Sequence, residues 1–316
     1  MSTYVGKNIK VEILGTSHGE EIKARIYGLN ENVTIDEEKL QDFLDRRAPA
    51  RGELSSPRKE EDKVILKRGA VLEGVIKNCD VRSQDYQVNI PRPGHSDYSQ
   101  YLKYGEIQPG GGEFSGRMTA PMCIAGGIFK QLLEEEGISF ESKIIDEEKM
   151  YERAKENPED SVGGVVECQV LNLPKGLGGP IFDRLEADIA RAVFSIPAVK
   201  GVEFGSGFKA ANMLGSENND PFYFHNGEVR TKGNNHGGVL GGVTTGMPLV
   251  VRVGIKPTPS ISREQESINL HTGENCTIKI KGRHDACIVP RAVPCIEAAI
   301  SIAIYDRMLS DGFKRR

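Results

Sequence analysis

The stretch from Pro294 to Leu309 constrains this chain more than any other. Ile296, Ala298, Ala299, Ile300, Ile302, Ala303 and Ile304 would leave a helix apolar on nearly every side. A helix without a polar face has to be covered all round, so this one is expected at the centre of the fold. Elsewhere no apolar run reaches the roughly 18 residues that crossing a bilayer requires. The covering layers therefore come from the chain itself.

Other segments suggest what those layers are. Thr34 and Glu37 form a capping box, followed by Leu40, Phe43 and Leu44 at helical spacing, which predicts a helix running into Arg46-Arg47. Ile124, Ile128 and Leu132 predict a second helix from about Thr119, with Gly137 as its stop. A third is expected from Pro180 to Val193, with Ile181, Leu185, Ile189 and Val193 on one stripe. Between them, Lys63–Ile76, Val165–Leu173, Pro248–Ile255 and Cys276–Ile280 are rich in Val and Ile with partial alternation and read as strands. The strands are not joined by regular helices, so a doubly wound sheet is disfavoured and a layered α+β fold is expected. The highly charged segment 141–160 reads as a surface helix or linker.

At 316 residues, length alone allows one large domain or two ordinary ones. The net charge of −4 gives no general attraction to nucleic acid or anionic lipid. Only 6% of residues are aromatic and none is Trp, which further disfavours a nucleic-acid-binding module. The six cysteines, at 79, 123, 168, 276, 287 and 295, form no C-x-x-C pair. They read as reduced thiols of a cytoplasmic protein. Lys7, Lys10 and Glu12 interrupt the apolar residues of the N-terminal stretch, so no secretory core is evident there.

Three kinds of residue carry candidate chemistry. Arg46, Arg47, Arg51 and Arg58 cluster, while Arg92, Arg283 and Arg291 each sit among Gly, Pro or His. A guanidinium grips phosphate or carboxylate with two parallel bonds, although the first cluster reads equally as a solvated basic face. His18, His95 and His284 lie in Gly- or Pro-containing turns, where a histidine titrates near neutrality and can serve as acid or base, or is simply structural. Glycine runs at 110–112 and 237–242 could turn backbone N–H groups toward an anion. Gly205-Ser206-Gly207-Phe208-Lys209-Ala210 matches a dinucleotide fingerprint literally, but no apolar-periodic helix follows it. His284, Asp285 and Cys287 are close in sequence but lack the second ligand pair a zinc site needs, so no metal is expected. Lys256-Pro257-Thr258-Pro259-Ser260 forms a rigid turn directly after a strand.

Taken in order, these blocks resemble the chorismate synthase family. They include Gly15-Thr16-Ser17-His18-Gly19, Arg82-Ser83-Gln84-Asp85-Tyr86, Arg92-Pro93-Gly94-His95-Ser96-Asp97-Tyr98 and Gly110-Gly111-Gly112. Asp160 to Gly164, Phe182 to Leu185, Ser195 to Gly201, Gly237 to Gly242, Lys256 to Ile261 and Gly282 to Pro294 continue the series across nearly the whole chain.

The resemblance implies a β-α-β sandwich with helices between antiparallel sheets, formed by a single domain over 1–316 and assembled as a homotetramer. It implies a reduced-FMN-dependent lyase, with NADPH as a possible reductant. The reaction implied is the 1,4-anti elimination of phosphate from 5-enolpyruvylshikimate-3-phosphate to give chorismate, the last common step toward the aromatic amino acids. Carried over by motif, His18, His95 and Asp285 are expected to be catalytic. Ser17, Arg47, Arg92, Arg283 and Arg291 are expected to bind substrate. Ser115, Pro197, Ala198, Gly241, Lys256, Pro257, Thr258, Pro259, Ser260 and Arg283 fall at flavin-contact positions. Glu113 and Phe114 depart from the Arg-Ser-Ser-Ala-Arg-Glu-Thr run that many members carry after the triple glycine. Glu53 stands where an arginine is common, with Arg51 nearby as a substitute, and segment 141–160 is shorter than in many members. An ordinary flavin oxidoreductase and a metal-dependent phosphatase are the enzymatic alternatives.

Overall fold

The computed structural model describes residues 1–30, 32–49, 61–79, 88–280 and 285–314. Five strands make the first sheet: β1 (Ser2–Val5), β2 (Lys10–Gly15), β3 (Glu21–Tyr27), β4 (Val64–Lys67) and β5 (Leu72–Lys77), in the order β1-β2-β3-β5-β4. Every pairing is antiparallel. Along β3, Ile22, Ala24 and Ile26 are buried and their neighbours are not, so one face of this sheet meets the core.

The second sheet uses β6 (Ser139–Ile145), β7 (Gly164–Leu171), β8 (Val199–Phe204) and, later in the chain, β13 (Leu249–Ile255). Its order is β6-β7-β13-β8, again antiparallel, with Val251 opposite Cys168 and both buried. Between β8 and β13 lie a hairpin, β9 (Phe222–His225) with β10 (Glu228–Thr231), and a short ribbon, β11 (Val239–Leu240) with β12 (Val243–Thr244). After β13, β14 (Glu264–Asn269) pairs with β15 (Glu274–Lys279).

In chain order the helices are α1 (Glu37–Arg47), α2 (Asp97–Tyr104), α3 (Thr119–Glu134), α4 (Glu147–Glu156), α5 (Leu185–Val193), α6 (Gly215–Asn218) and α7 (Val289–Ser310). Four of them, α1, α3, α5 and α7, pack together as a layer against the sheets. The α3 helix lies on the first sheet, where a Cβ added to Gly74 of β5 would sit 2.5 Å from Ile124. The α7 helix lies on the second sheet, and α3 and α7 pack against each other. Their contact is unusually close: a Cβ on Gly126 would fall 2.3 Å from the Ala298 Cα. This is a layered α+β fold with helices between two antiparallel sheets, as expected. Ile296, Ala298, Ala299, Ile300, Ile302, Ala303 and Ile304 are all buried, which is the central helix the sequence demanded. Among the described residues, no helix is long and apolar enough to cross a membrane.

Several boundaries move. α7 starts at Val289, not Pro294, because Pro290 occupies the first turn, where a missing N–H has no intrahelical partner to lose. The cap of α1 is Asp36 rather than Thr34; its carboxylate accepts the Lys39 N–H at 3.0 Å. The third helix keeps only Leu185–Val193, preceded by a 3₁₀ turn at Ile181–Asp183. Segment 141–160 is neither linker nor plain surface helix: it continues strand β6 and then forms α4, whose Met150 and Ala154 are buried.

Candidate active site

Five connecting segments, joined by Arg47 and Pro49 at the end of α1 and Ile280 after β15, converge on one cavity of about 710 Å³. They are the loop entering α2, the glycine run and turns before α3, the turn from α5 into β8, the turn after β13, and the first turns of α7. Such a volume suits a cofactor-sized ligand.

The loop entering α2 is organised by Asp97. Its carboxylate accepts the Arg92 backbone N–H at 3.0 Å, Arg92 Nε at 2.7 Å and His95 Nδ1 at 2.6 Å. Burial pushes the Asp97 carboxyl upward, but these bonds outweigh it and hold the group well below the usual carboxylate range. His95 is also shifted down, but here burial is the cause: it lowers the ring below 6.5, with Arg92 adding to the effect and Asp97 opposing it. At neutral pH the ring is therefore uncharged. Its proton sits on Nδ1, facing Asp97, and Nε2 stays free of it. Asp97→Asn is expected to move the His95 titration midpoint, read by NMR, still lower and to cut turnover by on the order of 10²-fold. An unmoved midpoint would remove Asp97's orienting role.

The triple glycine separates the two histidines. Gly110 and Gly111 have φ of +65° and +85°, a region that glycine enters without strain. A Cβ on Gly110 would lie 2.3 Å from His18 Nε2, and one on Gly111 would lie 3.1 Å from His95 Cε1. Ser17 locks the strip from the same side as His18, donating its hydroxyl to Gly110 O at 3.2 Å and its N–H to Gly112 O at 3.3 Å. His95 and Gly110 line the cavity, while His18 and Ser17 lie against Gly110.

Arginines supply the floor. Arg47 is 3% exposed and pairs with the buried Asp62 at 2.6 Å. Its Nε donates to Thr119 at 3.1 Å and an Nη to Gly116 O at 3.0 Å. Burial lowers the Arg47 guanidinium, but Asp62 more than compensates and leaves it firmly charged. Arg117 binds the other oxygen of Asp62. Arg291 grips Asp285 at 2.9 and 3.1 Å and donates to Arg47 O at 3.0 Å. Apolar lining comes from Phe114, Phe194, Ile196, Pro197, Ile280 and Ile288.

The turn after β13 closes the site. Lys256 N–H donates to Ala198 O at 3.0 Å, and Ala198 is held at φ +71°, an uncommon setting for a residue with a Cβ. Ser260 accepts from Arg92 at 3.1 Å, and Thr258 donates to Asp285 O at 2.9 Å, tying this turn to two other segments. Lys200 and Lys256 both line the cavity; the Lys256 ammonium donates to Gly94 O, and neither lysine forms an ion pair with a carboxylate among the described residues. The Lys256 ammonium is pushed below its usual value by burial and then by Lys200.

Most residues singled out in the sequence therefore meet here. Arg47, Arg92, His95, Ser115, Asp285 and Arg291 line the cavity, as do Pro197, Ala198, Lys256, Thr258, Pro259 and Ser260. Pro257 lies between two wall residues without lining the cavity itself. Gly241 is elsewhere: its ribbon abuts the start of α5, where Leu185 N–H donates to Gly242 O at 3.1 Å, whereas the cavity uses the segment after that helix's end. Arg51, Glu53, Arg58, Arg82 to Tyr86, Arg283 and His284 lie outside the described residues. Sequence reasoning overlooked Asp97, Asp62, Arg117, Lys200 and Cys295. Asp97 could have been found, because it follows His95 by two residues in a turn; Asp62 sits in a charged run with no distinguishing pattern.

Fold and site together define an α+β enzyme with a cavity for a small molecule, lined by arginines, lysines and apolar side chains. The chorismate synthase family model matches residues 9–158 and 143–309, and the chain belongs to that family, whose members are carbon–oxygen lyases. A chorismate synthase of Korarchaeum cryptofilum is 42% identical over 96% of this chain and 96% of its own length. One from Methanocaldococcus jannaschii is 42% identical over 99% and 97%. A crystal structure of chorismate synthase superposes with a TM-score of 0.71 at 25% identity, covering 97% of this chain and 93% of that one.

Proposed function

We propose that this chain converts 5-enolpyruvylshikimate-3-phosphate to chorismate and phosphate with reduced FMN bound in the cavity. The observation that carries the reading is Lys256 with Lys200 close by, two cations lining the cavity with no carboxylate partner among the described residues. Lys256 is half-buried and Lys200 exposed, and an anion placed between them would relieve their repulsion. The residues present suit a flavin mononucleotide: apolar side chains for a flat ring, the hydroxyls of Ser115, Thr258 and Ser260, and lysines for its phosphate.

When bound, reduced FMN supplies electron density that weakens the bond to the leaving phosphate. The chain's own residues do the rest. Arg47, Arg92 and Arg291, with Ser17, hold the carboxylates and phosphate of the ring. His18 and His95, on either side of the glycine strip, manage protons at the leaving group and the cofactor. Asp285, already held by Arg291, assists removal of the C6 proton. The C–O bond to phosphate and the C6–H bond break, a second ring double bond forms, and no net oxidation occurs.

We assign the chain to a single folding unit over 1–316, working in the cytoplasm as a homotetramer. Phe182, Phe208 and Phe224 are exposed at 93%, 81% and 78%, which favours a partner of the same chain. Gly241 lies off this cavity, so its flavin contact is assigned to the cavity of a second copy. Sedimentation reading a monomer would remove both assignments. The function itself is tested anaerobically by adding reduced FMN and substrate and following chorismate absorbance with phosphate release. Equal yields of the two, with FMN only catalytic, are expected. Reductant consumed in step with product would mean an oxidoreductase, and turnover without flavin a phosphatase.

A further inference from the structure

Two cysteines sit where α3 and α7 come closest. Cys123 and Cys295 lie one turn before Gly126 and Ala298 on their respective helices, the pair whose backbones almost touch. Their sulfurs are 3.7 Å apart and both are free thiols. The helices are in close contact one turn further on, and the 3.7 Å between the sulfurs leaves them to close to about 2 Å for a disulfide to form. Cys295 also lines the cavity, with Arg47 and Arg291 as fellow wall residues.

We propose that Cys123 and Cys295 form a peroxide-reactive dithiol, a modification site that faces the cavity and closes to an interhelical disulfide. The Cys295 thiol is drawn down to about 7, chiefly by the hydrogen bond from Cys123 and then, against burial, by Arg47; Cys123 is pushed up by burial. The more acidic of the two thiols is thus the cavity-lining one, and its thiolate form is the nucleophile. It attacks a peroxide oxygen of hydrogen peroxide; the O–O bond breaks, hydroxide leaves, and Cys295 becomes a sulfenic acid. The Cys123 sulfur then attacks the Cys295 sulfur, the S–O bond breaks, and the lost thiol proton leaves with hydroxide as water. Two thiols and one peroxide give one disulfide and two waters. Closing the bond draws the Cys295 sulfur away from the cavity lining toward α3, so oxidation alters the wall that Arg47 and Arg291 share with it.

Of the other four cysteines, Cys168 is pushed up to about 12 and Cys287 upward, both by burial. Neither they nor Cys79 and Cys276 line the cavity. The test treats the full chain with hydrogen peroxide and counts thiols after denaturation. Two of the six thiols should disappear, and a tryptic digest should contain peptide 118–130 joined to 292–307. Turnover should fall by roughly tenfold or more and return with dithiothreitol. In Cys123→Ala, basal turnover should persist, while peroxide drives Cys295 past the reversible stage with no joined peptide. Retention of all six thiols, a cross-link elsewhere, or irreversible loss in the unsubstituted chain would overturn the proposal. The peptide map of that chain decides the matter even if the variant folds poorly.

Discussion

His95→Ala is expected to lower turnover about 10²–10⁴-fold, the range a positioned acid or base usually contributes, while the chain stays folded. The imidazole faces the cavity and its tautomer is fixed by Asp97 at 2.6 Å, yet it contributes nothing to the central α3–α7 packing. A loss confined to activity, with an unchanged circular dichroism spectrum and melting temperature, is the signature of a proton-transfer group. His18→Ala should behave alike, since His18 shares the glycine strip with His95 from its other side. Near-normal rates in both variants would strip the histidines of their roles.

The second large effect is on stability. Asp62 is 2% exposed and lies between Arg47 and Arg117, themselves 3% and 7% exposed. Asp62→Ala would leave two buried guanidiniums facing each other without their shared carboxylate, a loss of ~3–5 kcal/mol. Burial raises the Asp62 carboxyl, but the two arginines outweigh it and hold it below its ordinary 3.8. A depressed acid stabilises the fold above its unfolded value, and that contribution drains away as pH falls below 3.8 toward the folded value. Thermal unfolding at neutral pH should therefore show a clear drop for the variant. An unchanged melting temperature would mean the ion pair is worth little.

The layers of this fold were legible because apolar patterning states them directly. A stretch such as Ile296 to Ile304 has no alternative to the centre, whereas β3 went unread although Ile22, Ala24 and Ile26 alternate into the core. Ends were less legible. Pro294 looked like a start, although Pro290 served that purpose, and Asp36 took the cap that Thr34 seemed to offer. For the site, motifs named the residues on each loop but not their partners. Arg92 and Ser260 are 168 positions apart, and Arg291 and Arg47 are 244 apart, so only folding could join them. Asp62 escaped notice because a carboxylate in a charged run resembles a solvated one until the chain buries it. Gly241 shows the converse: a motif residue can lie away from the cavity of its own chain.

The central claim is that one cavity holds flavin and substrate together, so the two must influence each other's binding. The most direct measurement is the affinity for 5-enolpyruvylshikimate-3-phosphate with and without oxidised FMN, with the flavin absorbance recorded throughout. The expected result is a substrate-induced shift of the flavin spectrum and an affinity that changes when FMN is present, both lost in Lys256→Ala. Substrate binding that leaves the spectrum unmoved and is indifferent to FMN would contradict a shared site.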